Sequence, residues 1–454
     1  MSRAGLFEDL PEMATPEHGG AGGRPRMREP VRDQIELRAT DIDSLIGSDH
    51  PARVIWGYAE RLDLRELEEA IKAREGMPGG PAIAPRLLLA LWLYATSEGI
   101  GSARALSRLI EQHDAYRWLC GGVSVNYHTL SDFRVGHGGL LDRLLVENVA
   151  ALWAAGVIDV SALAQDGVRV RANAGAASFR RRNRLEQHLV VARDLVERLK
   201  YEVEADTDAS NQRIRKAKER AARERAARIA SALDTLGAVE AQRKKRERKA
   251  EKIAEGTTGK TTQKPAEKPK EPRASTTDPQ ARVMKMADGG FRPAWNVQVV
   301  STAGEQFVID VNPLATGSDR GLLRPSLEAV RARLGQKPDR HLGDGGFTSA
   351  ADIEWAHAEG IDIYCPPTLS KHGTDPYLPR RDDGPGVLAW RGRMASPEGQ
   401  AIYRDRSICE CIHARWRNWN LIRLPVRGAT KVRAVMLWYA LANNILQANR
   451  LAAA

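Results

Sequence analysis

The chain has 454 residues, with 69 Lys+Arg against 58 Asp+Glu for a formal charge of +11, and a sequence pI near 9.6. That length exceeds one core of ordinary size and implies two or three structural units, while the charge leans toward a polyanionic partner, because neutralised phosphates release counterions. Four cysteines exclude a disulfide framework and point to a reducing cytoplasm, and the most apolar run, "LLLALWLYA" from Leu87, is too short to span a bilayer.

Residues 1–34, with "PEHGGAGGRPRMREP" at their heart, read as a disordered tail without the apolar segment of a signal peptide. Residues 35–156 read as an all-helical domain. Apolar residues recur three and four apart in "RLDLRELEEAIKAR", "RLLLALWLYA", "ARALSRLIEQHDAYRWL" and "LLDRLLVENVAALWAAG". Ser102 and Ser131 are predicted N-caps, and paired glycines punctuate the segments. Within this domain Ser102–Arg134 predicts helix, glycine turn, helix. A short polar helix carrying Asn126, His128, Thr129, Ser131 and Arg134 has side chains suited to base edges and phosphates in a major groove. A helical hairpin with a polar outer face fits the same spacing.

"VIDVSALAQDGVRVRANAG" (Val157–Gly175) changes period to a strand, with Asp166 at its start. Residues 181–255 form a charged insert. Leu185, Leu189, Ala192, Val196, Leu199 and Val203 alternate four and three apart as a coiled-coil seam, and an Arg-rich second half predicts an antiparallel helical hairpin. Its basic stretch suits either DNA contact or a solvated face. Residues 256–275 read as a flexible low-complexity linker. Strands resume in "AWNVQVVST" and "QFVIDVNPLA", which flank "AGE" as a hairpin. A helix capped at Ser318 follows. Then come a short strand ending on Asp344, a helix, the strand "IDIYCPP", and mostly helix from Ser396 to Leu451. The α/β unit therefore covers 157–180 and 276–451, split by the insert.

Asp166 and Asp344 each lie at a strand and each precedes glycine, which leaves a carboxylate open to a ligand or, equally, marks an Asp-Gly turn. Glu410 is the third acid. On one helix, Tyr403, Arg406, Glu410 and Arg417 fall on a single stripe. Such a stripe suits a solvated face with ion pairs, or a metal-binding acid beside phosphate-binding arginines. Three carboxylates on separate elements suit Mg²⁺, and two such ions activate water and stabilise the leaving oxygen of a phosphodiester. Zinc at Cys409, Cys411 and His413 fits less well, because cysteines two apart on a helix point to different sides; packing thiols fit better.

These residues resemble the DDE transposases of bacterial insertion sequences. Tyr403, Arg406, Glu410 and Arg417 are similar to that superfamily's Y-x2-R-x3-E-x6-K signature, with arginine in place of the usual lysine. "AQDGVRVRANAG" and "HLGDGGF" resemble its two aspartate segments. "DPQARVMKMADGGFRPAWNVQ", "VRGATKVRAVMLWYALANNIL" and "PAIAPRLLLALWLYATSEGIGSARALSRL" are also similar to stretches of its members. The resemblance implies a ribonuclease-H-like core, with Asp166, Asp344 and Glu410 as catalytic, metal-binding triad. It implies two Mg²⁺ ions, with Mn²⁺ able to substitute. Tyr403, Arg406 and Arg417 would contact terminal DNA phosphates or position Glu410. The implied activity is cleavage and strand transfer at the element's own inverted repeats, by a homodimer on double-stranded DNA in the cytoplasm, nucleoid-associated when acting. A DNA-binding protein with an inactive core, and a metal-dependent nuclease without strand transfer, are the alternatives.

Overall fold

The structure, a computed structural model, describes residues 41–74, 76, 80–205, 209–255, 271–368 and 375–453. The tail at 1–34 and the linker residues 256–270 lie outside the described residues. From Ile42 onward the chain forms one compact unit.

The N-terminal helices are α1 (Pro51–Glu60), α2 (Arg65–Glu69), α3 (Pro85–Ser97), α4 (Ala103–Gln112), α5 (Asp114–Cys120), α6 (Tyr127–Gly136) and α7 (Gly138–Ala154). Helix α3 is buried nearly all round. Among the described residues no helix is long and apolar enough to cross a membrane. The helix expected over 61–74 shrinks to the single turn of α2. The one expected from Ala103 to Leu119 breaks at His113, whose backbone is extended and whose ring accepts from Ala115 N to cap α5. Ser102 does cap α4, accepting from Ala105 N. Ser131 does not cap α6: Asn126 does, through Thr129 N, and Ser131 sits mid-helix.

Strand β1 (Ala162–Arg171) is central. Antiparallel to it runs β5 (Phe291–Thr302), and parallel to it on the other side runs β7 (Arg340–Gly343), followed by β8 (Asp362–Tyr364). Strands β4 (Arg282–Lys285) and β6 (Val308–Leu314) share the far edge of β5. Asp166 therefore lies mid-strand, not at its start. The result is a mixed α/β unit, mostly helical around a curled mixed sheet, compatible with a ribonuclease-H-like core. Helices α10 (Leu323–Leu334), α11 (Ala350–Ala358), α12 (Pro385–Ala395), α13 (Pro397–Tyr403), α14 (Ile408–Asn418) and α15 (Ala429–Ala452) complete it. Helix α10 starts at Leu323 with no side-chain cap; Ser318 instead closes a turn by accepting from Arg320 N at 3.3 Å.

The insert comprises α8 (Arg182–Ala205) and α9 (Ala209–Glu255). They pack antiparallel through Leu185, Leu189 and Ala192 against Ala226, Ile229, Leu233 and Leu236, and Arg182 reaches Glu240 at 2.7 Å. At the base, β2 (Phe179–Arg180) pairs with β3 (Ala274–Ser275). The last residues of the expected linker are thus a buried strand, because Ser275 Oγ also accepts from the amides of Thr277 and Asp278.

One apolar core runs from α1 and α3 through α15 to β5 and β6. Helix α15 also grips the sheet with amides. Asn444 accepts from Val308 N at 2.8 Å and donates to Val308 O at 2.9 Å, as a neighbouring strand would. Gln447 donates to Glu305 O and Asn443 to Gln306 O. Asn444→Leu keeps the volume but strands two buried backbone groups, and is expected to destabilise the protein by about 2–4 kcal/mol, measured as a drop in the urea midpoint.

Candidate active site

The central strand brings Asp166 to the sheet's middle, and the neighbouring parallel strand delivers Asp344 just beyond its last residue. Asp344 caps the following turn, its Oδ1 accepting from Gly346 N at 2.7 Å. Gly343 is required there, since a Cβ would stand 2.9 Å from Cys365 Sγ. The third acid arrives on a broken helix. Helix α13 ends at Tyr403, a 3₁₀ turn carries Arg404–Ser407, and α14 begins at Ile408. The single stripe expected for Tyr403, Arg406, Glu410 and Arg417 is interrupted by that turn. Helix α14 is pinned over the sheet by Cys409, buried with its Sγ 3.4 Å from Ser301 Oγ.

Asp166 is the electrostatic centre. Its side chain is 17% exposed, and burial pushes its carboxyl up to about 6; the Gly167 amide and Arg406 pull it down, while Asp344 and Asp319 push it further up. Arg406 Nη1 stands 3.5 Å from Asp166 Oδ2, and Arg406 Nη2 lies 2.7 Å from Glu410 Oε1. Burial alone would weaken that guanidinium's hold on its proton, but Asp166, Tyr403, Glu410 and Asp344 raise its pKa overall. One cation thus spans two of the three acids. Glu410 is exposed at 62% and turned to Arg406 rather than to the aspartates. Tyr403 lies beside Arg406, Cys365 and Asp344, its hydroxyl pushed up by burial. Arg417 is exposed on α14.

Among the described residues no group of three or more His, Cys, Asp or Glu stands close enough to hold a metal ion. Zinc at Cys409, Cys411 and His413 is excluded: Cys409 is buried, Cys411 is exposed, and burial pushes the Cys409 thiol up to about 12. Of the two thiols, only Cys409 packs as expected. The carboxylates are a better donor set for a hard cation. Asp344 lies near enough to Asp166 to push its carboxyl further up even with Arg406 beside it, so the pair of aspartates would gain from a second cation. Glu410 fits only once it leaves Arg406.

Two participants were not expected. His413 is half-buried on α14, its side chain 13% exposed, with Nδ1 3.6 Å from Asp166 Oδ2, and its buried Nε2 has no hydrogen-bond partner among the described residues. Burial, Arg417 and Arg406 push it down to about 4, so the ring is neutral at pH 7. Asp319 accepts from Asn296 Nδ2 at 2.7 Å and Gln298 Nε2 at 2.8 Å. These three crowd Gly167, where a Cβ would approach them to 2.6–2.7 Å. The amides of "AWNVQVV", alternating on a buried strand, are the signal: two buried amides on one face demand a partner.

The residues expected to read DNA from α6 separate. His128 is exposed, with its ring 4.0 Å from that of Tyr127. Asn126 spends its side-chain oxygen on the Thr129 amide at 2.9 Å, and Thr129 is half-buried. Arg134 departs from the expectation. It is buried, donates to Gly101 O, and lies 5.0 Å over the Trp92 ring, so it packs inside instead of facing a ligand.

Residues 252–445 match the family model described as a Transposase DDE domain, and residues 40–135 match the one described as a Transposase domain (DUF772). The first match contains Asp344, Tyr403, Arg406, Glu410 and Arg417, and Asp166 lies between the two. No curated protein and no solved structure matches the chain. A DDE domain preceded by that helical transposase domain is the architecture of insertion-sequence transposases, and the chain belongs to the DDE transposase family.

Proposed function

We propose that this transposase has a ribonuclease-H-like catalytic core, binds the inverted repeats at its element's ends and cuts them to free 3′-hydroxyls. It then joins those ends to target DNA as a homodimer. The observation that carries this reading is the placement of Asp166 on the central strand and Asp344 at the end of the parallel strand beside it, beneath the helix bearing Glu410.

Asp166, Asp344 and Glu410 would hold Mg²⁺, as two ions replaceable by Mn²⁺, which supply Lewis-acid activation of water and of the leaving oxygen. The chain's own residues do the rest. Arg406 keeps Asp166 and Glu410 neutralised in the free protein and offers a fork that fits phosphate oxygens. Neutral His413 fills the space behind Asp166 without adding charge. Tyr403 seats Arg406, and exposed Arg417 is free to meet a phosphate of the bound end. His128 and Thr129 present polar groups from α6 to the DNA, with Asn126 holding that helix start in shape.

The test is a strand-transfer assay with duplexes carrying the element's end. Asp344→Ala and Glu410→Ala are expected to bind end DNA within about threefold of wild type while cleaving at least about a hundredfold more slowly. Wild-type cleavage without joined product would leave a nuclease. Wild-type rates in either variant would remove that residue from the triad.

A further inference from the structure

Away from the carboxylates, two open clefts of about 790 Å³ and about 650 Å³ meet at Ser131, Arg134 and Pro425, which line both. The larger runs between α9 of the insert and the segment entering α15; the smaller runs between α6 and the turn before α4. Together they form one trough crossing the insert, the helical region and the sheet unit.

Besides Arg134, which is buried where the two meet, its cations are Arg228, Arg427 and Lys431 in the first cleft and Arg104 in the second. Arg228 has only a loose partner, Glu224, at 3.7 Å. Arg427 donates its Nε to Asn173 O at 3.2 Å, and Arg104 lies 4.9 Å over the Tyr127 ring. Arg104, Arg427 and Lys431 are exposed, and of the three Arg427 alone acts on a carboxyl among the described residues, the buried Asp278.

From these surfaces we infer that the trough is a nucleic-acid track, taking the sugar-phosphate backbone of a DNA duplex, and that the insert exists in part to build its wall. The lining decides between polyanions. Two carboxylates, Glu224 in the first cleft and Asp132 in the second, are outnumbered by cations, and the remaining polar groups are mainly serine, asparagine and glutamine, the set that contacts phosphate and sugar. A protein partner would be anchored by buried aromatic pockets, and the trough has Tyr127 alone, already stacked by Arg104. The larger cleft grips backbone without reading sequence. Base contact is confined to the Tyr127–His128 end. The inference rests on the proposed action on DNA, but its residues are separate from the acids.

The experiment is fluorescence anisotropy on the full chain with a labelled end duplex and a scrambled duplex, across a KCl series. Arg427→Glu with Lys431→Glu is expected to weaken both duplexes at least about tenfold, and Arg427→Gln with Lys431→Gln to lower the slope of log affinity against log salt by about 0.9 per lost contact. Arg228→Glu alone should weaken both duplexes, because α9 is the wall. Melting curves matching wild type certify that the variants fold, and the glutamine pair serves if the glutamate pair does not. Unchanged affinity and slope in wild-type-like folds would overturn the track, as would poly-glutamate displacing DNA at equal charge concentration. Failure of wild type to bind either duplex would overturn the proposed function along with it. Loss of binding in these variants, with Asp344→Ala still bound, supports the trough alone.

Discussion

Asp166→Asn is expected to abolish strand cleavage and, at pH 7.5, to leave the protein more stable than wild type. The carboxyl is held at about 6 by burial, against 3.8 in the unfolded chain. Its folded-state pKa is therefore the higher one. The folded protein keeps the proton further up the pH scale, so the stability that this proton supports is complete below about 4 and lost as pH rises through about 6. At neutral pH the ionised group costs about 2–3 kcal/mol, and asparagine copies the protonated form. The variant should gain about 2 kcal/mol above pH 7 and nothing below pH 4, read from urea midpoints across that range. A variant less stable than wild type at neutral pH would show that Arg406 and His413 hold the carboxylate more favourably than its burial opposes it. Stability surrendered at a site that must present a charge is the usual trade of activity against stability.

Arg406→Gln is expected to act in two opposite directions. Without the guanidinium, Asp166, Asp344 and Glu410 repel with no counter-ion near them, and the free protein should lose about 3 kcal/mol at neutral pH. Divalent ions then have vacant carboxylates to neutralise. The rise in melting temperature on adding Mn²⁺ without DNA should be larger in the variant than in wild type. Cleavage should nonetheless fall, because the phosphate fork is gone. If Mn²⁺ stabilises both proteins equally, Arg406 does not stand where a cation would.

The main strands and most of the helices are legible because each depends on local pattern, and the elements that carry Asp166, Asp344 and Glu410 stand out through "QDGV", "GDGGF" and the sparse frame around Glu410. What escaped depended on partners far along the chain. Asp166 reads as a strand's start because "ALAQ", buried at Leu163, Ala164 and Gln165 in succession, shows no alternation. Arg134 read as a surface cation, since nothing nearby announces that Trp92 and Gly101 wait for it. His413 reads in the sequence only as part of a poor zinc set with the cysteines, yet the turn of α14 sets it beside Asp166. The break at Arg404–Ser407 is invisible to a helical-wheel argument, which assumes one continuous rod, and it is what turns Arg406 inward while Glu410 faces out.

The pairing of β2 with β3 has an evolutionary consequence. Phe179 faces Ser275 across two strands, and neighbouring strands lie only about 5 Å apart, so the chain leaves the catalytic sheet and returns to it at nearly one point. Whatever hangs from that junction can lengthen, shorten or be exchanged without stretching the sheet beneath, and longer excursions add little closure entropy. A turn of a few residues joining Arg180 to Ala274 should restore a continuous sheet unit lacking both long helices. Such a junction is a graft point: the sheet unit can stay constant while the two long helices are exchanged for another arm.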